Sequence, residues 1–235
     1  MEITPDDFRT LHLACDVLDA AGVRYVIGGG TAVVIYGRNR RTKDFDIFLN
    51  REELERAMTA LTRVGFTASD TEKKWLFKAW HQETLVDIIV ESRGGVRVGS
   101  ETMRRSRLLH LYGYDFRIMG LEDTLYRKIL TLTEGRPDWY DAISIITRQQ
   151  GQLDWDYLLE CAQRFPRRVL SFLLFAQTEL HIPPGYHRAS VDELMTGDAP
   201  GLIPDRVIYT LLLRVLNRRA FEPPLPGMEA LPEAA

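Results

Sequence analysis

"VIGGGTAVVIYGRNRRTKDFDIFLN" occupies residues 26–50. Gly28, Gly29 and Gly30 stand near its start, and two aspartates, Asp44 and Asp46, near its end. The aspartates flank Phe45 and lead into Ile47, Phe48 and Leu49, a run that reads as a strand. Carboxylates inside a hydrophobic strand are costly unless something compensates them. Residues two apart on a strand share a face. Asp44 and Asp46 are therefore expected to project together, with Phe45 and Ile47 on the other side. Two close carboxylates repel unless they share a proton or a cation. Hard divalent cations take oxygen ligands, and Mg2+ commonly combines carboxylates with substrate phosphates. The plainer alternative is a pair of solvated aspartates on an edge strand.

A third acid strengthens the cation reading. "LVDIIV" at 85–90 places Asp87 in the most hydrophobic strand of the chain. If that strand lies beside the first, three carboxylates converge. Such a set suits metal ions that activate a hydroxyl and stabilise a leaving pyrophosphate. The glycines fall between a strand and a helix, where backbone N–H groups can approach a phosphate. Neither glycine-rich nucleotide motif is met: Val33 stands where G-x-G-x-x-G needs its last glycine, and no Gly-Lys-Ser/Thr follows. Alone, the glycines are equally a tight turn.

The chain has 235 residues, 45% hydrophobic and 27% charged, which suggests one large domain or two small ones. A net charge of −3 gives no bulk attraction to nucleic acid, although a local patch could oppose the total. Cys15 and Cys161 read as packing residues rather than a disulfide. No stretch resembles a signal peptide or is apolar for long enough to span a bilayer. The expectation is a cytoplasmic protein with no membrane partner.

Thr4, Pro5, Asp6 and Asp7 spell a helix start, and Gly22 its end. Strands are predicted over 23–27, 44–49, 75–80, 85–91 and 115–119. A short helix is predicted over 31–36, and another, capped by Asn50, carries Leu54, Ala57, Met58 and Leu61. After Gly120 the pattern turns helical, over 122–134, 137–150, 155–164, 168–180 and 204–219, with loop-like residues at 183–203. The outline is an α/β domain over 1–119, a helical domain over 120–220 and a proline-rich, flexible tail over 221–235.

Gly29-Gly30, thirteen residues, then Asp44-Phe45-Asp46-Ile47, with Asp87 on a later strand, resembles the signature of polymerase-β-type nucleotidyltransferases. The resemblance covers about residues 23–91. It implies an α+β fold with a mixed β-sheet and flanking helices, bound NTP and Mg2+ (or Mn2+), and transfer of a nucleoside monophosphate to a hydroxyl. It further implies that Asp44, Asp46 and Asp87 are catalytic and hold the metal, with Asp87 helping to deprotonate the acceptor. Gly29, Gly30 and Thr31 would hold the triphosphate.

"GRNRRTKDFD" supplies Arg38, Arg40, Arg41 and Lys43, which read either as phosphate-neutralising groups or as a solvated loop. "RRTKDFD" resembles the R-x-[ST]-x-D-x-D of the abortive-infection (AbiEii-type) toxin branch, on which Arg40 and Thr42 would structure the loop or touch phosphate; Arg40 and Lys43 are the loop cations expected at the nucleotide. "LEDTLYRKILTLTEGRPDWYDAISII" resembles the same branch through Lys128, Arg136, Asp138 and Asp141, although Pro137 replaces a usual lysine. On that match Lys128 and Asp141 also belong to the nucleotide site, while a first-turn acid on a helix dipole explains Asp138 equally well. The acceptor implied is tRNA or a protein, with a cognate antitoxin as partner. The alternatives are a small molecule such as an aminoglycoside, or a non-catalytic nucleotide- or partner-binding protein of the same fold.

Three features read as decoys. Asp154-Trp155-Asp156 repeats the acid-x-acid spelling but opens a helix, where capping explains it. The five histidines, His12, His81, His110, His181 and His187, lack metal-ligand spacing. "MRRSR" at 103–107 reads as a solvated basic run that could also contact RNA.

Overall fold

The computed structural model describes residues 5–71, 74–133, 135, 139–150, 152–179 and 202–217. Thr4, Arg136, Pro137 and Asp138, most of the predicted loop at 183–203 and the tail at 221–235 lie outside them. The described residues fall into two compact units. One takes those within 1–32 and 40–120, the other those within 33–39 and 121–220.

The first unit opens with α1 (Pro5–Ala20). This helix closes in a Schellman turn: Val23 N–H donates to the Leu18 carbonyl and Gly22 N–H to that of Asp19, both at 2.9 Å. Gly22 takes φ +67°, which only glycine adopts freely. A seven-stranded mixed sheet follows, built from β1 (Tyr25–Ile27), β2 (Phe45–Leu49), β3 (Thr67–Asp70), β4 (Leu76–His81), β5 (Thr84–Ile89), β6 (Arg107–Leu111) and β7 (Tyr114–Ile118). Its order is β3-β4-β5-β2-β1-β7-β6. β2 runs parallel to β5 and antiparallel to β1, and β1 runs parallel to β7. Both strands that carry the predicted acids are therefore interior strands, and the edge-strand alternative does not hold.

The two faces of β2 differ. Phe45 and Ile47 are 1% and 0% exposed, and the Phe45 ring meets Phe8 of α1 edge-on with centroids 5.4 Å apart. Each burial contributes roughly 2 kcal/mol. Helix α3 (Leu54–Arg63) packs against α1. On the opposite face Phe48 is in register with Ile89, and Ile89 with Leu76. That apolar row joins a core of Val26, Val98 and Met119, with Met103 of α4 (Ser100–Arg105) packed against it. The aspartates sit two residues further back along the same face.

Some local expectations are corrected. Asn50 precedes a 3-10 turn (Arg51–Glu53), and its side chain makes no capping bond; its carbonyl accepts from Glu53 N–H at 2.9 Å instead. Strands β3 and β6 and helix α4 are additions to the predicted outline.

The second unit is helical: α5 (Leu121–Thr131), α6 (Trp139–Arg148), α7 (Trp155–Cys161), α8 (Pro166–Glu179) and α9 (Asp205–Asn217). Helix α5 is buried at every position from Leu121 to Leu130, as a central helix with neighbours all round must be. It packs against α6, α7 and α8, and α9 packs on α8 and α7. The segment 33–39 belongs here because Gln149 Nε2 donates to the Tyr36 carbonyl at 3.0 Å and Arg148 to that of Gly37 at 2.7 Å. Asp154 is a cap, its side chain accepting from Tyr157 N–H at 3.0 Å. Cys15 and Cys161 are free, and burial pushes both thiols up to about 12, as suits packing groups. Among the described residues, no helix is long and apolar enough to cross a membrane.

Candidate active site

The parallel register of β2 and β5 pairs Asp46 with Asp87. Residues in register on neighbouring strands share a face, with strands about 4.8 Å apart. The two acids predicted to converge from separate strands are thus immediate neighbours. Asp87 is 7% exposed and Asp46 is partly exposed. Asp44 stands just before β2 and is also partly exposed. The Thr42 hydroxyl lies 3.3 Å from its carbonyl oxygen and 3.4 Å from its Oδ1, which ties the approaching loop to the carboxylate.

The glycines and Asp46 form one device. Helix α2 (Gly29–Tyr36) begins with Gly29 at φ +55°. Gly28 N–H donates to the Asp46 carbonyl at 2.9 Å, and Gly30 N–H to Asp46 Oδ2 at 3.2 Å. A Cβ on Gly29 would lie 1.7 Å from Asp46 Oδ2 and 2.3 Å from its Cγ. Only a residue without a side chain lets this helix start approach the carboxylate. The helix N-terminus in turn carries partial positive charge toward it. A Cβ on Gly30 would meet Thr42 Oγ1 at 2.3 Å and Arg40 Nη2 at 3.4 Å, so the basic loop lies directly over the same turn. Thr31 is 5% exposed, and its hydroxyl has no hydrogen-bond partner among the described residues.

Asp87 has a second register partner, Lys78 of β4. The Lys78 ammonium lies 3.0 Å from Asp87 Oδ1, with the two side chains 31% and 10% exposed. Asp46, Asp87 and Lys78 therefore make one row across three adjacent strands. The sequence reading omitted Lys78, although a signal was there. A two-residue hairpin at Gln82-Glu83 sets His81 opposite Thr84, and counting outward from it puts Lys78 opposite Asp87.

Among the described residues, no group of three or more His, Cys, Asp or Glu side chains is arranged to hold a metal ion. The chemistry of Asp44 and Asp46 nevertheless fits a hard divalent cation: both offer carboxylate oxygens, both are partly exposed, and they stand two residues apart. Of the loop cations, Arg40 donates to the Arg41 carbonyl at 2.8 Å and Lys43 is exposed.

Lys128 and Asp141 belong to the second unit. Asp141 is 1% exposed and accepts from Lys128 Nζ at 3.0 Å and from Arg38 Nε at 2.9 Å. Arg38 N–H also donates to Ser144 Oγ at 2.9 Å. One buried carboxylate thus ties α5, α6 and the 33–39 segment together. The decoys have local partners. His110 pairs with Asp115 on an exposed hairpin. Arg104 and Arg105 pair with Glu101, holding its carboxyl down to about 2.

The profile of the family described as nucleotidyl transferase of unknown function (DUF2204) matches residues 7–175. The chain belongs to this family and is a transferase of the nucleotidyl class. Comparison with curated proteins returns no match. Among solved structures, the lincosamide antibiotic adenylyltransferase LnuA, with lincomycin bound, is 17% identical, with a TM-score of 0.44 over 62% of this chain and 98% of that one. The antibiotic-resistance factor ANT(2'')-Ia is 14% identical, with a TM-score of 0.47 over 73% and 96%. An antigenic nucleotidyltransferase-like protein from Paracoccidioides brasiliensis is 18% identical, with a TM-score of 0.41 over 74% and 95%. At TM-scores below 0.5 these likenesses carry no argument about acceptor or site.

Proposed function

We propose that the chain moves the nucleoside monophosphate of an NTP onto a hydroxyl acceptor, with Asp44, Asp46 and Asp87 as its acidic centre. The observation that carries this reading is the register of β2 and β5, which makes Asp46 and Asp87 neighbours on a face where Gly29 is packed against Asp46. Asp44 and Asp46 would hold Mg2+ or Mn2+. When bound, the cation supplies charge neutralisation on the triphosphate and the leaving pyrophosphate. The start of α2 receives the triphosphate through the backbone of Gly29 and Gly30 and the Thr31 hydroxyl, with Arg40 and Lys43 adding positive charge. Asp87 accepts the proton of the acceptor hydroxyl. The hydroxyl oxygen bonds to the α-phosphorus as the bridging bond to the β-phosphate breaks, and pyrophosphate leaves. Positioning and electrostatics supply most of the rate in such transfers. For Lys128 and Asp141, named for the nucleotide by the resemblance, burial together within the second unit supports a role in fixing Arg38 rather than contact with phosphate.

Resemblance of residues 40–46 and 121–146 to the abortive-infection branch supports tRNA or a protein as acceptor, and with it a toxin paired with an antitoxin. One experiment separates the acceptor classes. The protein is incubated with Mg2+, each NTP labelled at its α-phosphate, and the RNA, protein and small-molecule fractions of a cell extract. Label is expected in the RNA or protein fraction, abolished by EDTA. Label confined to the small-molecule fraction contradicts the macromolecular acceptor, and no label in any fraction contradicts the transferase reading.

A further inference from the structure

Lysine is depleted in strands, as aspartate is, yet Lys78 and Asp87 face each other across an antiparallel pair, 3.0 Å apart. Neither is on a loop, so strand pairing fixes their approach. On its other side Asp87 neighbours Asp46, a like charge. A carboxylate that is 10% exposed cannot rely on water alone to offset that repulsion.

We propose that Lys78 is a built-in cation for Asp87, supplying the positive charge that would otherwise come from a second divalent ion. This rests on the reading above and refines it. One divalent cation would bind through Asp44 and Asp46, while Lys78 fixes the orientation of Asp87 toward the acceptor hydroxyl. Lys78 is a positioning residue. Its ammonium also opposes recruitment of Asp87 as a metal ligand, because a divalent ion there would meet a like charge at close range.

The test reads Mn2+ binding to the full chain by electron paramagnetic resonance, without NTP. Wild type is expected to bind a single Mn2+, and Lys78→Met to bind Mn2+ about tenfold more tightly, because removing one nearby like charge relieves its repulsion of the ion. Lys78→Arg, which keeps the charge, is expected to match wild type. The neutral pair Lys78→Met with Asp87→Asn is expected to lose the gain. Unchanged or weaker binding in Lys78→Met, a gain that survives Asp87→Asn, or no Mn2+ binding by any of these proteins overturns the proposal. If Lys78→Met does not fold, wild type alone decides, since binding of two Mn2+ overturns it equally. A chain that shows this Mn2+ pattern yet transfers no label from any NTP refutes the transferase reading and leaves the role of Lys78 standing. Label transfer with unchanged Mn2+ affinity in Lys78→Met does the reverse.

Discussion

Gly29 and Asp46 compete for one volume, and the glycine yields it. Alanine at 29 would hold a left-handed φ of +55° and drive its Cβ into the Asp46 carboxylate. The backbone term alone costs about 1–3 kcal/mol. Alanine at 30 would press on the Thr42 hydroxyl, which can rotate away, and meet Thr42 Cβ at 3.0 Å, a milder contact than the 2.7 Å approach to Asp46 Cβ at 29. Gly29→Ala is therefore expected to lower the unfolding free energy measured in urea by at least about 1 kcal/mol, with Gly30→Ala losing less. Equal losses would show that Asp46 does not constrain the turn. Asp44, Asp46 and Asp87 were legible because carboxylates in hydrophobic runs are conspicuous. Gly29 was legible as a turn glycine and, through the resemblance, as a triphosphate contact, but not as a neighbour of Asp46, since that contact joins separate elements. Lys78 has meaning only through its cross-strand partner, which counting outward from the Gln82-Glu83 turn supplies.

At the scale of elements, α5 and α6 meet through Asp141, which holds Lys128 and Arg38 at once. Lys128 has a side chain 8% exposed, so removing its counter-charge strands a buried ammonium. Asp141→Asn is expected to cost about 3–5 kcal/mol in urea unfolding, the usual result of breaking one side of a buried pair. A loss below about 1 kcal/mol would match an exposed pair and contradict this arrangement. The strands with strong apolar content were readable from the sequence. "TASD" in β3 was not, because an outer strand with exposed Thr67, Ala68 and Ser69 has no buried face to impose alternation. "RLLHL" in β6 was hidden by the basic residues before it, and Leu108, 62% exposed, breaks the expected inward pattern.

At the scale of the whole molecule, the family match from residue 7 to 175 takes in residues of both units. The three acids stand in the first unit and the Lys128–Asp141 pair in the second. That 33–39 groups with the helices was not legible, because the division falls inside α2 and depends on side chains of Arg148 and Gln149 more than a hundred residues away. The central claim is that the carboxylate packed against Gly29 carries nucleotidyl transfer. Its most direct test compares wild type with Asp46→Ala in transfer of α-phosphate label from NTP to the acceptor fraction, with melting curves recorded for both. The expected result is a loss of about a hundredfold or more in transfer rate, with the cooperative melting transition retained. Undiminished transfer by a folded Asp46→Ala protein would contradict the claim.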